Sequence, residues 1–510
     1  MALYNLSAKR LDPLWLDRRF MSSRWSADPM LIRQTLLYLP AQLIGPALQL
    51  FAAVIWTHWL TPDAYGALLF LIAGQELISV ICLSWWSYYT LRYLGAVGDA
   101  EGQRRYLASE GSVLAMTSIV QTILAVLVLA TLSIKVTPEL IAATVLYTLT
   151  RSAIAHLSER ARASSRIELY TFAQTAGPAL GFVLAFSAIV FIAPTAENAL
   201  FGFAIAQAIS LLFLGRAMHL SFGSRTLDRE TLERALRFGI PLVIAGVVGW
   251  ISVNGIRVII NETRGAEAMG LVSVGWSLGQ RLAVTMAMLV TAAAFPLAVK
   301  HLHDGSREES LRQLANSGAL LFALLLPTSV GLVLVTPHLI ALTIAKPFQA
   351  VTVAVLPIAV IAGSLRNMRL HFSDQAFLLF ERTDLATWVN GFEAVAVILF
   401  CLIGLAVDGI VGAAAGCLAG SFLGAIAGMS LSRLRFGLII PWGHVARITI
   451  ATAVMALVVV LTPDRDNASI LPLVLKVGDG IIAYAVTLFV LYPSFRRSLR
   501  HLSVFGGAVT

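Results

Sequence analysis

Residues 36–92 read LLYLPAQLIGPALQLFAAVIWTHWLTPDAYGALLFLIAGQELISVICLSWWSYYTLR. Two apolar runs, 36–60 and 66–92, flank the turn Leu60-Thr61-Pro62-Asp63-Ala64-Tyr65-Gly66, and the second run ends on Arg92. An α-helix needs about 20 predominantly apolar residues to cross a hydrocarbon core of ~30 Å. Each run is long enough, and the turn between them permits only an antiparallel return. The stretch is a transmembrane helical hairpin, and the rest of the chain repeats its design.

Apolar segments at 108–134, 138–158, 169–193 and 197–219 complete a first set of six. A second set runs 235–260, 268–297, 313–336, 350–378, 385–405 and 409–432, and a further pair lies at 445–462 and 471–493. The 510 residues are 58% hydrophobic and 13% charged, with a mean hydropathy of +0.81. That places the chain outside the soluble globular range. The expected fold class is all-α: a polytopic membrane protein of about 14 transmembrane helices, two six-helix bundles plus a C-terminal hairpin.

Charge supplies the orientation. Thirty of the 37 Lys and Arg residues fall in or beside every second connection or in the two end segments, Arg92, Arg104, Arg105, Arg151, Arg160, Arg162 and Arg166 among them. Short basic loops stay in the cytoplasm, so both termini are expected there. The formal net charge of +9 therefore reflects topology rather than nucleic-acid binding. The expected organisation is an interfacial segment 1–34, a first bundle 35–220, a cytoplasmic linker 221–234, a second bundle 235–433, the additional pair 434–495 and a cytoplasmic tail 496–510. The connections on the other side are too short to hold a folded domain.

The halves echo each other. The turn ending in Gly66 has a counterpart in Arg264-Gly265-Ala266-Glu267-Ala268-Met269-Gly270, and Gly74-Gln75-Glu76-Leu77 is matched by Gly279-Gln280-Arg281-Leu282. Each half has an even number of spans, so the copies are expected to be parallel repeats about an axis along the membrane normal, a common transporter plan.

Three stretches carry a resemblance. Leu60-Thr61-Pro62-Asp63-Ala64-Tyr65-Gly66 is similar to the L-(S/T/G)-P-x-x-Y-G hairpin of the Wzx-type lipid-linked oligosaccharide flippases, the polysaccharide-export branch of the MATE-like superfamily. Leu91-Arg92-Tyr93 stands where that family commonly has an Arg. Arg382-Thr383, Asn390 and Gly409-Ile410-Val411-Gly412-Ala413-Ala414 resemble its G-R-T…N…G-I-x-G-A-A pattern, with Glu381 replacing the usual small residue before Arg382. The resemblance covers roughly residues 30–435. It implies an inner-membrane flippase for a polyprenyl-pyrophosphate-linked glycan serving O-antigen, exopolysaccharide or capsule assembly. It also implies alternating access in the bilayer, protons or sodium ions as candidate coupling ions, polysaccharide polymerase and export machinery as partners, and no cofactor. The alternatives are a cation-coupled multidrug exporter, whose cleft should be more apolar or acidic, and a membrane-embedded glycan polymerase.

Charge within a bilayer costs at least ~2.5–3.5 kcal/mol per residue on insertion scales, so intramembrane ionisable residues are the functional candidates. Glu76 and Arg281 hold matching repeat positions, each roughly 15 Å inside its span at ~1.5 Å per residue. They read as a pair across a central cleft, Arg281 for pyrophosphate and Glu76 for an exchanged proton or cation; a static ion pair is the alternative. Arg257 guides anionic head groups or snorkels to the interface. Arg366 and Arg369 share one helical face, suited to bidentate grip on a diphosphate or to lipid phosphates at the inner surface. Glu393 is a second candidate coupling site or a partner for a neighbouring span. Glycines 412, 416, 420, 424 and 428 give one span a four-residue repeat for close helix packing. No P-loop, HExxH or metal-ligand spacing appears, which argues against an enzyme.

Overall fold

A computed structural model describes residues 45, 47–94, 100–132, 134–219, 227–303, 306–463 and 469–492. The expected segment 1–34, linker residues 221–226, the tail 496–510 and the start of the first span lie outside the described residues. Those described are almost entirely helical, and none is in a strand.

The elements are α1 (47–59), α2 (Pro62–Cys82), α3 (Ser84–Tyr93), α4 (Ala100–Leu129), α5 (Pro138–Ala163), α6 (Ile167–Phe191), α7 (Ala196–Ala217), α8 (Arg229–His303), α9 (Arg307–Thr343), α10 (Lys346–Met368), a π turn (Arg369–Ser373), α11 (Asp374–Leu379), α12 (Thr383–Phe436), α13 (Trp442–Leu461) and α14 (Ile470–Leu491). Two of these are too long for one crossing. At ~1.5 Å per residue α8 would extend more than three times the ~30 Å core. It turns back at Gly265, whose φ of 83° an L side chain rarely adopts. α12 turns at Asp408–Gly409, where Gly409 has φ 57°. Each thus supplies two antiparallel spans, as the fourteen-segment reading expects. Two expected spans differ in detail. The second, 66–92, breaks at Leu83 (φ −128°, ψ −20°) into α2 and α3, and the tenth carries the π turn.

The repeated hairpins meet on an approximate two-fold axis. A Cβ on Gly66 would collide with the Ala266 carbonyl and stand 3.0 Å from the Gly270 amide. One on Gly270 would collide with the Pro62 carbonyl and stand 3.0 Å from the Gly66 amide. Pro62 pairs with Gly270 and Ala266 with Gly66 under the same offset of 204 residues that relates the hairpins in sequence, so the contact is reciprocal. We call this the hairpin end and the opposite one the basic end. There, Gly239 of α8 closes on α3, where an added Cβ would stand 2.6 Å from Trp85 Cα.

The glycine repeat of α12 does pack within the molecule. Added Cβ atoms at Gly416 and Gly420 would strike the backbone at Phe400 and Val397 of the preceding span, and one at Gly424 would stand 2.8 Å from Glu393 Cγ. The α13–α14 pair docks on α9, with Tyr484 Oη donating to the Ala323 carbonyl at 2.7 Å.

Glu381, the departure noted in the resemblance, ends the turn after α11 with φ 57°. A side chain in this left-handed region costs roughly 1–2 kcal/mol, which explains why a small residue suits the position. We expect Glu381→Gly to raise thermal stability in detergent by about 1 kcal/mol, less the entropy glycine adds to the unfolded chain. A lower melting temperature would contradict this.

Candidate functional site

Between the bundles lies a cavity of about 360 Å³ lined by Glu76 of α2, by Asn254, Arg257, Ser277, Gln280 and Arg281 of α8, and by Arg366 and Asn367 of α10. Gln49 of α1 also reaches it. The depth argument from sequence brings Glu76 and Arg281 to one chamber, because equal distances into repeat-related spans meet at the same level. No ion pair within 4 Å joins them among the described residues, and Glu76 is exposed to the cavity. In this conformation, then, the two are not a closed static pair.

Arg257 is not at the interface but on the same cavity. Neutral groups hold it: one guanidinium nitrogen donates to Asn254 Oδ1 and the other to Ser277 Oγ at 2.7 Å. Tyr65 of the first hairpin turn lies near enough for the charges of Arg257 and Arg281 to act on its hydroxyl, and its ring meets Phe348 edge-on at 5.8 Å.

Arg366 and Arg369 both reach Glu393 but differ in what else they touch. Arg366 lines the cavity, donates to the Gly249 carbonyl at 3.3 Å and lies 3.5 Å from Glu393. Arg369 opens the π turn and is buried away from the cavity. It donates to Glu393 at 2.6 Å, Asp374 at 2.5 Å and Asn390 at 2.7 Å. A π turn adds one residue to the helical register, and such turns recur at functional sites. Here it begins at Arg369, one α-helical turn after Arg366, and leads to Asp374. Glu393 is likewise fully buried, with Arg366 and Arg369 as its charged partners.

One cavity residue escapes sequence reading. Arg151 counts among the cytoplasmic basic residues by loop position, yet it sits midway along α5 and lines a second chamber of about 160 Å³ with Gln75, Tyr147 and Gln207. Gln49, Glu76 and Arg281 border both chambers. Its distance into α5, some thirteen residues after Pro138, is the signal that could have found it. The combined space therefore presents Arg151, Arg257, Arg281 and Arg366 against Glu76, an excess of positive charge inside a low-dielectric body. Such an arrangement can attract and orient an anion while leaving room for neutral polar groups.

Residues 111–353 match the family model described as polysaccharide biosynthesis protein. No curated protein sequence matches the chain. Among solved structures, the lipid II flippase MurJ in an inward closed conformation is similar with a TM-score of 0.73 at 12% identity, covering 91% of this chain and 99% of that one. A multidrug resistance MATE transporter of the MOP superfamily in an inward-facing conformation gives 0.60 at 15% identity, covering 79% and 98%. A MATE structure in a bent conformation gives 0.53 at 17%, covering 82% and 96%. At these identities the structures speak to the fold, while the family match speaks to polysaccharide biosynthesis. Together they bear out the resemblance read from the sequence.

Proposed function

We propose that this chain, a MATE-like polysaccharide-biosynthesis protein of the MOP type, flips a polyprenyl-pyrophosphate-linked oligosaccharide across the cell inner membrane by alternating access. The observation that carries the reading is the central cavity, where Arg257, Arg281 and Arg366 share the space with Glu76, the one carboxylate among its described lining residues, and only Arg366 has a second carboxylate, the buried Glu393, at 3.5 Å. A cleft for organic cations would carry the opposite balance. Arg281 and Arg257 hold the diphosphate, Arg366 adds a third donor, and Arg151 and the glutamines of the second chamber face the sugar. The polyprenyl tail remains in lipid between the bundles, since chain methylenes gain nothing by leaving hydrocarbon. The basic end faces the cytoplasm by the positive-inside rule, and the bundles 35–220 and 235–433 rock against each other, parting and meeting at the hairpin contact. Polymerase and export machinery would then receive the glycan outside. The chain performs no covalent chemistry in this scheme.

The test is transbilayer movement of a fluorescent polyprenyl-diphosphate sugar in proteoliposomes. Losing one hydrogen-bonded charge contact costs about 1.5–3 kcal/mol, so Arg281→Ala should slow movement tenfold or more. Arg281→Lys, which keeps charge but loses the fork, should fall between. Wild-type protein that moves no lipid but exports organic cations would place the chain with the drug exporters.

A further inference from the structure

At the basic end of the first bundle is a buried polar cluster that plays no part in the cavity. Glu110 of α4 is almost wholly buried, and its Oε2 accepts from Arg160 Nη1 of α5 at 2.6 Å. Its Oε1 faces His156 Nε2 at 2.9 Å and accepts from Tyr106 Oη at 3.2 Å. Arg160 also donates to the Met218 carbonyl after α7 at 2.9 Å. His156 Nδ1 faces Ser87 Oγ of α3 at 3.0 Å, and the same hydroxyl lies 3.3 Å from the Leu83 carbonyl.

The hydrogens can be placed by elimination. Arg160 donates to Glu110 at 2.6 Å, which makes the carboxylate an acceptor, so His156 carries its first proton on Nε2 and donates it to Oε1. Nδ1 is then bare and accepts from Ser87. In that state the Glu110–Arg160–His156 set is electrically neutral. One more proton on Nδ1 reverses its bond: Nδ1–H donates to Ser87 Oγ, and the serine hydrogen turns to the Leu83 carbonyl. Both protonation states satisfy every group named.

We propose that His156 is the site of a single coupling proton, and that Ser87 relays its presence to the break in the second span. Leu83 is the non-helical residue between α2 and α3. Above it, α2 brings Glu76 to the cavity; below it, α3 carries Trp85 against Gly239 and closes the basic end. Loading the proton strengthens the bond to the Leu83 carbonyl and fixes the angle at which α3 meets α8. Releasing it frees that angle.

The other charges around the cluster are already engaged. From α3, Tyr89 stacks on Trp86. From α5, Glu159 pairs with Arg162 at 3.3 Å. At the start of α8, Asp228 caps the helix through Thr231, its amide bonding Ser109 beside Glu110, and Arg234 pairs with Glu230. Asp228 is held below the usual carboxylate range by the Thr231 hydroxyl and amide, with Arg105 and Arg234 adding to the effect. It therefore stays charged at neutral pH and does not compete for the proton. This inference deepens the proposed function by naming its coupling ion, and rests on it only for the transport consequence.

The experiment has two arms. In the first, nitrogen-15 spectra of histidine-labelled protein, with His156 identified by its loss in His156→Gln, should show Nδ1 gaining a proton as the pH of the folded protein is lowered. In the second, a one-unit pH gradient is imposed on proteoliposomes. For one coupled proton it is worth a factor of about ten, so it should shift the steady-state leaflet ratio of the fluorescent lipid by up to that factor. In His156→Gln the shift should vanish while downhill movement persists. In Ser87→Ala, histidine should still titrate but the shift should again be lost, because the relay is cut; this variant serves if His156→Gln does not fold. A gradient response intact in either variant, or a His156 that does not titrate, overturns the proposal. Wild-type protein that moves no lipid in any gradient refutes the flippase reading instead, and the spectra still decide the proton site.

Discussion

Gly270→Ala is expected to hold the hairpin end apart and to cost the protein most of its flipping activity. The position tolerates no Cβ: one added there lands on the Pro62 carbonyl and within 3.0 Å of the Gly66 amide. The obstacle is backbone on a helix start fixed by Pro62, not a side chain that can rotate away. Overpacking of this kind costs about 1–3 kcal/mol. Because the clash exists only when the bundles meet at this end, the cost falls on the closed state and shifts its population by roughly 5–150-fold. The reciprocal contact makes a sharper demand. Gly66→Ala should have the same effect as Gly270→Ala, and the double variant should be little worse than either, since both open one contact and are not independent. The measurement is labelling of a cysteine introduced at Ser277, on the cavity wall, by a membrane-impermeant thiol reagent in protein whose own three buried cysteines have been replaced. Labelling should speed up in both single variants. Unchanged labelling, or effects that add in the double variant, would show that the hairpins are not the gate.

This contact was half legible in the sequence. The offset of 204 residues relates Gly66 to Gly270 and implies a two-fold axis, but not that the axis passes between those glycines. The spans were legible because length and hydropathy decide them, and the antiparallel returns at Gly265 and Gly409 fall at the polar breaks between apolar runs. Glu76 and Arg281 were legible because depth along a helix is simple arithmetic. Arg257, Arg369 and Arg151 were less so, each for its own reason. Arg257 lies close enough to a span end to look interfacial, and only the tertiary contact with Ser277 of the returning helix reveals the cavity. Arg369 does share a face with Arg366, and both reach Glu393, but its contacts with Asp374 and Asn390 keep it out of the cavity, and no spacing along one helix shows them. Arg151 was absorbed by a charge count that treats every basic residue near a loop alike. The Glu110–His156–Arg160 cluster was invisible for a different cause: Glu110 on α4 lies 46 and 50 residues from His156 and Arg160 of α5, and each alone reads as part of a solvated helix end.

Glu393 shows how geometry separates a coupling site from a structural one. A carboxylate that picks up and releases an ion should tolerate Gln, which imitates its protonated form, with the fold intact and transport uncoupled. Here Glu393 is instead the buried counter-charge to Arg369 at 2.6 Å and Arg366 at 3.5 Å. Gly424 and Gly428 of α12 leave the room the pair needs, since added Cβ atoms there would stand 2.8 Å from Glu393 Cγ and 2.9 Å from Arg369 Cγ. Removing one partner of a buried pair strands the other and costs about 3–5 kcal/mol. Glu393→Gln leaves Arg369 with Asp374 and two neutral amides, so it should lower the melting temperature in detergent sharply. Replacing both partners by apolar residues of similar length, Arg369→Met with Glu393→Met, removes the stranded charge and should recover much of the loss, although Asp374 then needs a proton or Arg366. The order of stability should be wild type, then the double variant, then Glu393→Gln. If Glu393→Gln is instead as stable as wild type and loses only its response to an ion gradient, the carboxylate is a coupling site and the guanidinium beside it is its resident competitor.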